Sequence, residues 1–361
     1  MEASTASPLQ ILVMGAGSVG CYLGGVLQVA GLQVTFVGRE RVIRELNQHG
    51  LRISDLNGGN TRIAPAELRL ATEIPDGIRP DATLLCVKSG GTEAAANLLQ
   101  NSLPAQSLIV SMQNGLRNAE IAHAAAPRLR VRAGMVPFNV AMLAPGRFHR
   151  GTAGTMAAER DSALLPLVRA FASQGLHLNL HEDLRPVQWG KLLLNLNNPV
   201  NALSGLPLRA QLLERDYRRC LAALQEEALV LLRDAGVAPA RLAAVAPRWL
   251  PVLLRLPTPA FRVLAARMLR IDAMARSSMA DDFAACRLTE IDALCGEVVR
   301  LAQSLGRTAP LNERMKALVD RNLVSRSVYS PPELAAALGI QGRTADAGTG
   351  RCRAAKEPDP R

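Results

Sequence analysis

The feature of this sequence that most constrains its fold is a glycine motif near the N-terminus, Gly15-x-Gly17-x-x-Gly20. The motif directly follows a short apolar run, Gln10–Met14, which is typical of a buried parallel strand. A helical stretch comes next, and Gln33–Val37 has the pattern of a second strand. Strand, glycine turn, helix and strand within about 30 residues predict a βαβ unit. In that context the motif predicts dinucleotide binding.

Each glycine of the motif has its own physical role in such a site. Gly15 permits the tight turn, Gly17 lets a pyrophosphate approach the backbone, and Gly20 lets the helix pack closely on the strand. The helix begins near Ser18, where unpaired N–H groups and the positive end of the helix dipole favour a phosphate. We therefore predict that Gly15, Gly17, Ser18 and Gly20 bind the cofactor.

The end of the second strand distinguishes NAD from NADP. NAD-binding proteins place an acidic side chain there for the ribose hydroxyls, whereas an Arg accommodates the 2′-phosphate of NADP. Here the strand ends at Val37 and Arg39 follows, with Arg41 and Arg44 shortly after it. These residues predict NADP (NADPH) as the cofactor. Glu40 is the alternative ribose contact if the strand ends one residue later.

The pattern of strands and helices divides the chain into two parts. Up to about residue 183, apolar strands alternate with helical stretches, which is typical of a mostly parallel sheet covered by helices. Beyond it the periodicity is helical and includes one long predicted helix over Asp281–Leu305. The predicted fold is α/β, with an N-terminal Rossmann-type dinucleotide-binding domain (1–183) followed by an all-α C-terminal domain (184–340). Residues 341–361 are predicted to be a disordered tail.

Composition narrows the classes of function. The 42 Lys and Arg exceed the 31 Asp and Glu and give a net charge of +11, but only four of the 42 are Lys and the Arg are scattered. Aromatic residues make up 3% of the chain, too few for stacking on bases, so we expect no nucleic-acid partner. No long apolar run or basic leader is present, so we expect a cytoplasmic protein with no membrane partner. The widely spaced Cys predict reduced thiols and no metal site.

A lysine within apolar sequence is the most specific feature of the helical part. In Trp189-Gly-Lys191-Leu-Leu-Leu-Asn195, the Lys and the Asn are four residues apart and share a helix face. An unpaired ammonium is costly to bury, and Arg is the usual cation of this chain, so Lys191 is predicted to serve chemistry. A buried ammonium beside an amide suits a general acid that stabilises and protonates an alkoxide. The alternative is a Lys that reaches solvent from the start of its helix.

A serine and several acidic residues follow in the C-terminal part. Ser278 with Asp281 resembles a capping box, so a helix cap is the alternative to a binding role for Ser278. Glu290 follows Ser278 by twelve residues, about 120° around an ideal helix, so the helical period does not bring the two together. Asp292 and Glu297 are competing carboxylates, and spacing does not choose among the three.

Together these motifs resemble those of the ketopantoate reductase family (2-dehydropantoate 2-reductases). The resemblance extends from Ile11 to about Leu318. It is carried by the glycine motif and by Val87-Lys88, Asn114-Gly115, Trp189 to Asn195, Ser277-Ser278-Met279 and Thr289-Glu290-Ile291-Asp292. This combination is far more specific than a dinucleotide-binding signature alone.

The resemblance implies a role for each matching residue. Lys191 would be the catalytic acid that protonates the substrate carbonyl oxygen, and Glu290 would bind the substrate hydroxyl. The residues that would hold nicotinamide or substrate are Asn114, Asn195, Ser278 and Lys88. Asn198, which follows the catalytic helix together with Asn197, is a further predicted substrate contact.

The function predicted from the sequence is NADPH-dependent reduction of a 2-oxo acid. The first choice of substrate is ketopantoate, which is reduced to pantoate in pantothenate biosynthesis. The alternatives are a reductase of a different 2-oxo acid on the same scaffold and a non-catalytic NADP-binding regulator, which would need neither Lys191 nor Glu290. A homodimer is compatible with the sequence, which does not determine the oligomeric state.

Overall fold

The computed structural model describes residues 8–266, 269 and 275–340. The predicted disordered tail therefore lies outside the described residues. The strands are β1 Gln10–Met14, β2 Gln33–Val37, β3 Leu51–Asp55, β4 Asn60–Ile63, β5 Arg69–Ala71, β6 Ala82–Leu85, β7 Leu108–Ser111, β8 Arg130–Met135, β9 Val140–Ala144, β10 Arg147–Arg150, β11 Met156–Glu159 and β12 Leu178–His181.

Eight strands form one large sheet in the order β12-β11-β8-β7-β6-β1-β2-β5. The six neighbouring strands β8, β7, β6, β1, β2 and β5 run parallel to one another. At the edge of this group, β11 pairs antiparallel with β8. The chain order reverses between β1 and β6, which is the switch point where a doubly wound sheet binds dinucleotides. The predicted Rossmann-type N-terminal domain is confirmed.

The apolar runs form the centre of this sheet because both of its faces are covered. Residues Ile11–Met14 of β1 are buried, as are all residues of β6 and β7. Strands buried on both faces are expected to be continuous apolar runs, and these are. The predicted strands β1 and β2 have the bounds expected from the sequence.

A second sheet, which the sequence pattern did not predict, has the order β4-β3-β10-β9. Its buried side chains, which include Leu51, Ile53 and Phe148, join the core that also contains α1 (Ser18–Val29). Although β10 and β11 follow one another closely along the chain, they belong to different sheets.

From residue 185 onward the described residues form helices and loops without strands. The helices are α1 Ser18–Val29, α2 Glu40–His49, α3 Thr92–Ser102, α4 Asn118–Ala125, α5 Leu165–Ser173, α6 Arg185–Asn195, α7 Asn197–Ser204, α8 Leu208–Leu213, α9 Arg215–Asp234, α10 Leu250–Arg255, α11 Thr258–Leu264, α12 Ser278–Ala284, α13 Cys295–Ser304, α14 Pro310–Ser325 and α15 Pro331–Ala337. The α-helical character predicted for the C-terminal part is confirmed; the domain bounds themselves stay a prediction.

The long helix predicted over Asp281–Leu305 is wrong. The helix α12 ends after Ala284, where Cys286 has a positive φ of 54° and the Arg287 N–H donates to the Asp282 carbonyl. This hydrogen-bonding pattern ends a helix at its C-terminus and normally has Gly at the position of positive φ. Because Cys occupies that position here, the sequence did not indicate the end of the helix. As a result, Glu290 lies in an irregular link before α13.

A fully buried arginine joins the ends of three helices in the C-terminal domain. The Arg218 guanidinium donates to the carbonyls of Leu212 and Leu254, at 2.8 and 3.0 Å, among its five hydrogen bonds. It also lies over the Phe261 ring, with 4.3 Å from Cζ to the ring centroid. The last carbonyls of a helix lack intrahelical partners, so Arg218 satisfies groups that burial would otherwise leave unpaired.

Candidate active site

The glycine turn between β1 and α1 has the geometry that its sequence predicts. Gly15 has a φ of +110°, and a Cβ there would lie 2.7 Å from the Val87 nitrogen. A Cβ at Gly20 would collide with the Gly15 carbonyl oxygen. These two positions therefore require glycine for steric reasons.

Gly17, the middle glycine of the motif, has free space beside its backbone. A Cβ at Gly17 would meet nothing within 4 Å, so a ligand can approach its backbone. The first helical hydrogen bond of α1 runs from the Cys21 N–H to the Gly17 carbonyl at 2.8 Å. The N–H groups of the preceding turn, which begins at Ser18, have no partner within the helix. A turn with this shape fits the phosphates of a dinucleotide.

Arg39 lies just after β2, whereas Arg41 and Arg44 lie on α2, and ion pairing distinguishes Arg39 from the other two. Arg41 pairs with Glu45 at 2.6 Å, and Arg44 pairs with Glu40 at 3.1 Å. Arg39 is exposed, caps the start of α2 with its backbone, and forms no ion pair with the described residues. The arrangement leaves Arg39 available to an anionic ligand.

Lys191 lies in the middle of α6, where the helix approaches the loop around Ala240 closely. A Cβ at Gly190 would collide with the Ala240 carbonyl oxygen, so glycine at this position permits the approach. The Lys191 Nζ donates to Asn114 Oδ1 at 2.6 Å and to the Val136 carbonyl oxygen. Burial lowers the pKa of Lys191 to about 8, against the opposing effect of the Glu290 charge.

Asn114 links the lysine to the carboxylate. While its Oδ1 accepts from Lys191, its Nδ2 donates to Glu290 Oε2 at 3.1 Å. The other carboxylate oxygen of Glu290 accepts from Ser89 Oγ at 3.3 Å. A cation, an amide and a carboxylate therefore converge from α6, from the loop after β7 and from the link before α13, although helical periodicity did not bring Glu290 to the site.

A small cavity lies beside this group, between the sheet domain and the helices. It contains the predicted substrate contacts together with residues that sequence reasoning did not single out. Its lining residues are Asn114, Asn195, Asn198, Ser278, Met279, Asp282, Glu290 and Leu294. Of the two neighbouring asparagines, Asn198 lines the cavity. Asn197 is buried instead, and its Oδ1 has no hydrogen-bond partner among the described residues.

Lys88 makes a contact that the sequence did not predict. Its Nζ lies 2.8 Å from both carboxylate oxygens of Asp282, which also accepts from Arg287 Nε at 2.9 Å. The Lys88 side chain is 48% exposed and the Asp282 side chain 10%. The pair spans the cleft between the two domains. Asp282 gave no separate signal in the sequence, since it lies within the helix predicted over Asp281–Leu305.

The cap of α12 is Ser277 rather than Ser278. The Ser277 Oγ accepts from the Ala280 N–H at 3.1 Å, and the Ser277 N–H donates to Asn201 Oδ1 at 2.9 Å. The capping box expected from Ser278 and Asp281 is therefore not formed. Ser278 is the first residue of the helix and faces the cavity, so its side chain is free for a ligand.

Two further findings concern the whole described part of the chain. Within it, no group of three or more His, Cys, Asp or Glu is placed to hold a metal ion. None of the described helices is both long enough and apolar enough to cross a membrane.

Comparison with known proteins gives similarity over most of the chain. A 2-dehydropantoate 2-reductase from Pyrococcus horikoshii is 27% identical over 320 residues, which are 86% of this chain and 96% of the relative. The crystal structure of a PanE/ApbA family ketopantoate reductase from Ralstonia eutropha JMP134 is 27% identical. It covers 88% of this chain and 99% of that one, with a TM-score of 0.74.

More distant structures share the fold. A D-mandelate dehydrogenase, solved with NADH and anilino(oxo)acetate, is 17% identical with a TM-score of 0.72 and covers 89% of this chain and 100% of its own. A dimeric ketopantoate reductase from Staphylococcus aureus is 15% identical with a TM-score of 0.66, covering 88% and 100%.

Two family models cover nearly the whole described chain. Residues 11–161 match the model "Ketopantoate reductase PanE/ApbA", and residues 183–322 match "Ketopantoate reductase PanE/ApbA C terminal". The second match begins between β12 and α6, where strands give way to helices, and residues 162–182 lie between the two matches. The chain therefore belongs to the ketopantoate reductase family of oxidoreductases.

Proposed function

We propose that this protein reduces a 2-oxo acid with NADPH, and that ketopantoate is its substrate. The proposal rests on one observation. Lys191, Asn114 and Glu290 converge at a cavity between the Rossmann-type N-terminal domain and the C-terminal helices. A non-catalytic regulator would need no such group. The Pyrococcus horikoshii 2-dehydropantoate 2-reductase, which is 27% identical, supports ketopantoate as the substrate.

In this mechanism the protein orients the substrate and supplies the proton. Bound NADPH would supply the hydride to the carbonyl carbon. The Lys191 ammonium donates a hydrogen bond to the carbonyl oxygen, stabilises the charge that develops there, and transfers its proton to form the hydroxyl. Asn114 holds Lys191 through its Oδ1, and Glu290 accepts a hydrogen bond from the substrate hydroxyl. We assign Asn195, Asn198 and Ser278 to substrate contacts, since they line the cavity.

The proposed cofactor is NADPH rather than NADH. Arg39 supports this choice because it forms no ion pair with the described residues, whereas Glu40, the alternative ribose contact, is paired with Arg44. Gly15, Gly17, Ser18 and Gly20 would hold the pyrophosphate. Lys88 would assist binding from across the cleft after exchanging Asp282 for an anionic ligand. The dimeric neighbour supports a homodimer for this chain.

The proposal is tested by measuring NADPH oxidation with a panel of 2-oxo acids. Ketopantoate should exceed 2-oxoisovalerate, which lacks the hydroxyl, by roughly 10- to 100-fold in kcat/KM. The reason is that the analogue cannot donate the substrate's hydrogen bond to the half-buried Glu290 carboxylate, a loss of about 1–3 kcal/mol. Glu290→Ala should reduce that ratio by lowering ketopantoate turnover most.

The same panel decides the alternative substrate. A preference for a larger apolar or aromatic 2-oxo acid would support the proposed reductase activity but exclude ketopantoate as the substrate. The D-mandelate dehydrogenase with the same fold makes this the second candidate, and Met279 and Leu294 give the cavity an apolar part. Oxidation of NADPH by none of the acids would overturn the enzyme assignment.

The rate of reduction should fall on the alkaline side with a midpoint near pH 8. Only protonated Lys191 donates, and its pKa is lowered to about 8. Hence kcat/KM should be level below that pKa and fall about tenfold per pH unit above it. Glu290→Gln should move the alkaline limb of the kcat/KM profile to lower pH, because the Glu290 charge raises the pKa of Lys191. A profile that stays level well above pH 9, with NADPH still bound, would contradict the role of Lys191.

A further inference from the structure

A row of buried polar side chains lies behind the site without touching the cavity. Its four members are Ser111, Gln113, Thr92 and Asn118, which come from the end of β7 and from the first residues of α3 and α4. The row ends at Asn114 and Ser89, which are the two donors to Glu290.

The direction of hydrogen bonding at the inner end is fixed by a backbone carbonyl. The Gln113 Nε2 lies 2.9 Å from the Val87 carbonyl oxygen, which can only accept, so the amide must face it. The same Nε2 donates to Thr92 Oγ1 at 2.7 Å, while Gln113 Oε1 accepts from Ser111 Oγ at 2.8 Å. Thr92 Oγ1 is therefore an acceptor on one side and must turn its proton to the other.

The next link is fixed in the same way. Thr92 Oγ1 lies 2.9 Å from Asn118 Oδ1 and from the Ser89 carbonyl oxygen, its two possible acceptors. The Asn118 Nδ2 faces the Asn114 carbonyl oxygen, which can only accept, and it also donates to Ser89 Oγ at 3.2 Å. Asn118 Oδ1 must therefore face Thr92. A flipped amide would set Oδ1 against the Asn114 carbonyl oxygen.

The outer end of the row delivers a proton donor to Glu290. Because Ser89 Oγ accepts from Asn118, its own proton is directed elsewhere. Its two acceptors are the Asn114 carbonyl oxygen at 3.1 Å and Glu290 Oε1 at 3.3 Å, so the hydroxyl ties Glu290 to the Asn114 backbone. We infer that Thr92 and Asn118 are positioning residues, which hold Ser89 and Asn114 so that both donate to Glu290 and Asn114 stays in place for Lys191. This inference rests on the proposed function, in which Lys191 and Glu290 act on the substrate.

The test compares two threonines that are both fully buried. Thr92→Val keeps the shape of the side chain and removes the hydroxyl from the row. Thr83→Val is the matched control, because Thr83 Oγ1 on β6 is buried without a hydrogen-bond partner among the described residues. Thr92→Ser keeps the hydroxyl and serves as the conservative rescue.

Two readouts separate positioning from packing. The first is kcat on the best 2-oxo acid, with NADPH affinity measured in parallel. The second is the pKa of Lys191 in the cofactor-free protein, obtained from the pH dependence of its labelling by an amine reagent. Mass spectrometry resolves this readily, since the chain has only four lysines.

Thr92→Val should lower kcat roughly tenfold or more, because displaced donors misalign the catalytic group. It should lower the pKa of Lys191 by about 0.5 or more, because Glu290 is no longer held near the ammonium. NADPH affinity should stay within about twofold, and Thr92→Ser and Thr83→Val should match the wild type. Asn118→Asp, which places an acceptor against the Asn114 carbonyl, should reduce kcat further.

Several results would overturn the inference. One is wild-type kcat and wild-type Lys191 titration in Thr92→Val. Another is an equal loss in Thr92→Ser, or in Thr83→Val, since either would mark a packing effect. If the wild-type protein reduces no 2-oxo acid, the proposed function fails by itself. The Lys191 titration in Thr92→Val still decides whether the row holds the site.

Discussion

Replacing Lys191 by Met is expected to lower kcat by at least about 100-fold while NADPH binds nearly as before. The loss combines a proton donor with the charge that stabilises the developing alkoxide, and each effect alone is worth about 100-fold or more. Met is similar in length to Lys and carries no charge, so we expect it to fit within the largely apolar sequence of α6. Steady-state kinetics on ketopantoate, with NADPH binding followed by fluorescence, measures both quantities.

The control for this variant is another lysine outside the cavity. Lys316 on α14 pairs with Asp320 at 2.9 Å, and Lys316→Met should leave kcat unchanged. Near-normal turnover in a folded Lys191→Met protein would remove Lys191 as the acid. A loss of NADPH binding in the same variant would instead point to a structural role for the residue.

Replacing Arg39 by Asp should weaken NADPH binding by about 100-fold or more and leave NADH little changed. The substitution exchanges a charge-assisted attraction to the 2′-phosphate for repulsion, and NADH has no phosphate at that position. Titration of both cofactors against the wild type and the variant measures the change in preference.

A second arginine gives a control with the same change in net charge. Arg44 is already paired with Glu40, so Arg44→Asp should affect NADPH much less than Arg39→Asp. If the wild-type protein prefers NADH, the argument from the end of β2 is wrong. Glu40 would then be the ribose contact, and Arg39→Asp would change neither cofactor much.

The parts of the fold that follow from local sequence were predictable. The runs that form β1 and β2 are apolar, the glycines between them require their conformations, and all of these signals lie within about 30 residues. The second sheet gave no such signal. Its strands are short and partly polar, and β3 pairs with β10, which lies far along the chain; Ser54 and His149 on these strands are 95 positions apart.

The candidate site divides in a similar way. Lys191 was predictable because a lysine within apolar sequence is unusual in a chain whose cations are nearly all Arg. Glu290 was not, since helical geometry assumed a continuous helix that actually ends near Cys286, and only the family resemblance selected it. Ser89 and Asp282 were missed because their partners, Glu290 and Lys88, are about 200 positions away in sequence.

The buried Arg218 has a consequence for how pH experiments on this protein are interpreted. Its guanidinium joins the ends of α8 and α10 through backbone carbonyls, and none of its hydrogen-bond partners among the described residues is a carboxylate. Arg keeps its proton at any pH used in enzyme assays, and carbonyl oxygens do not titrate there. The clamp between these helices is therefore indifferent to alkali. Loosening of this contact therefore does not account for a loss of activity near pH 8.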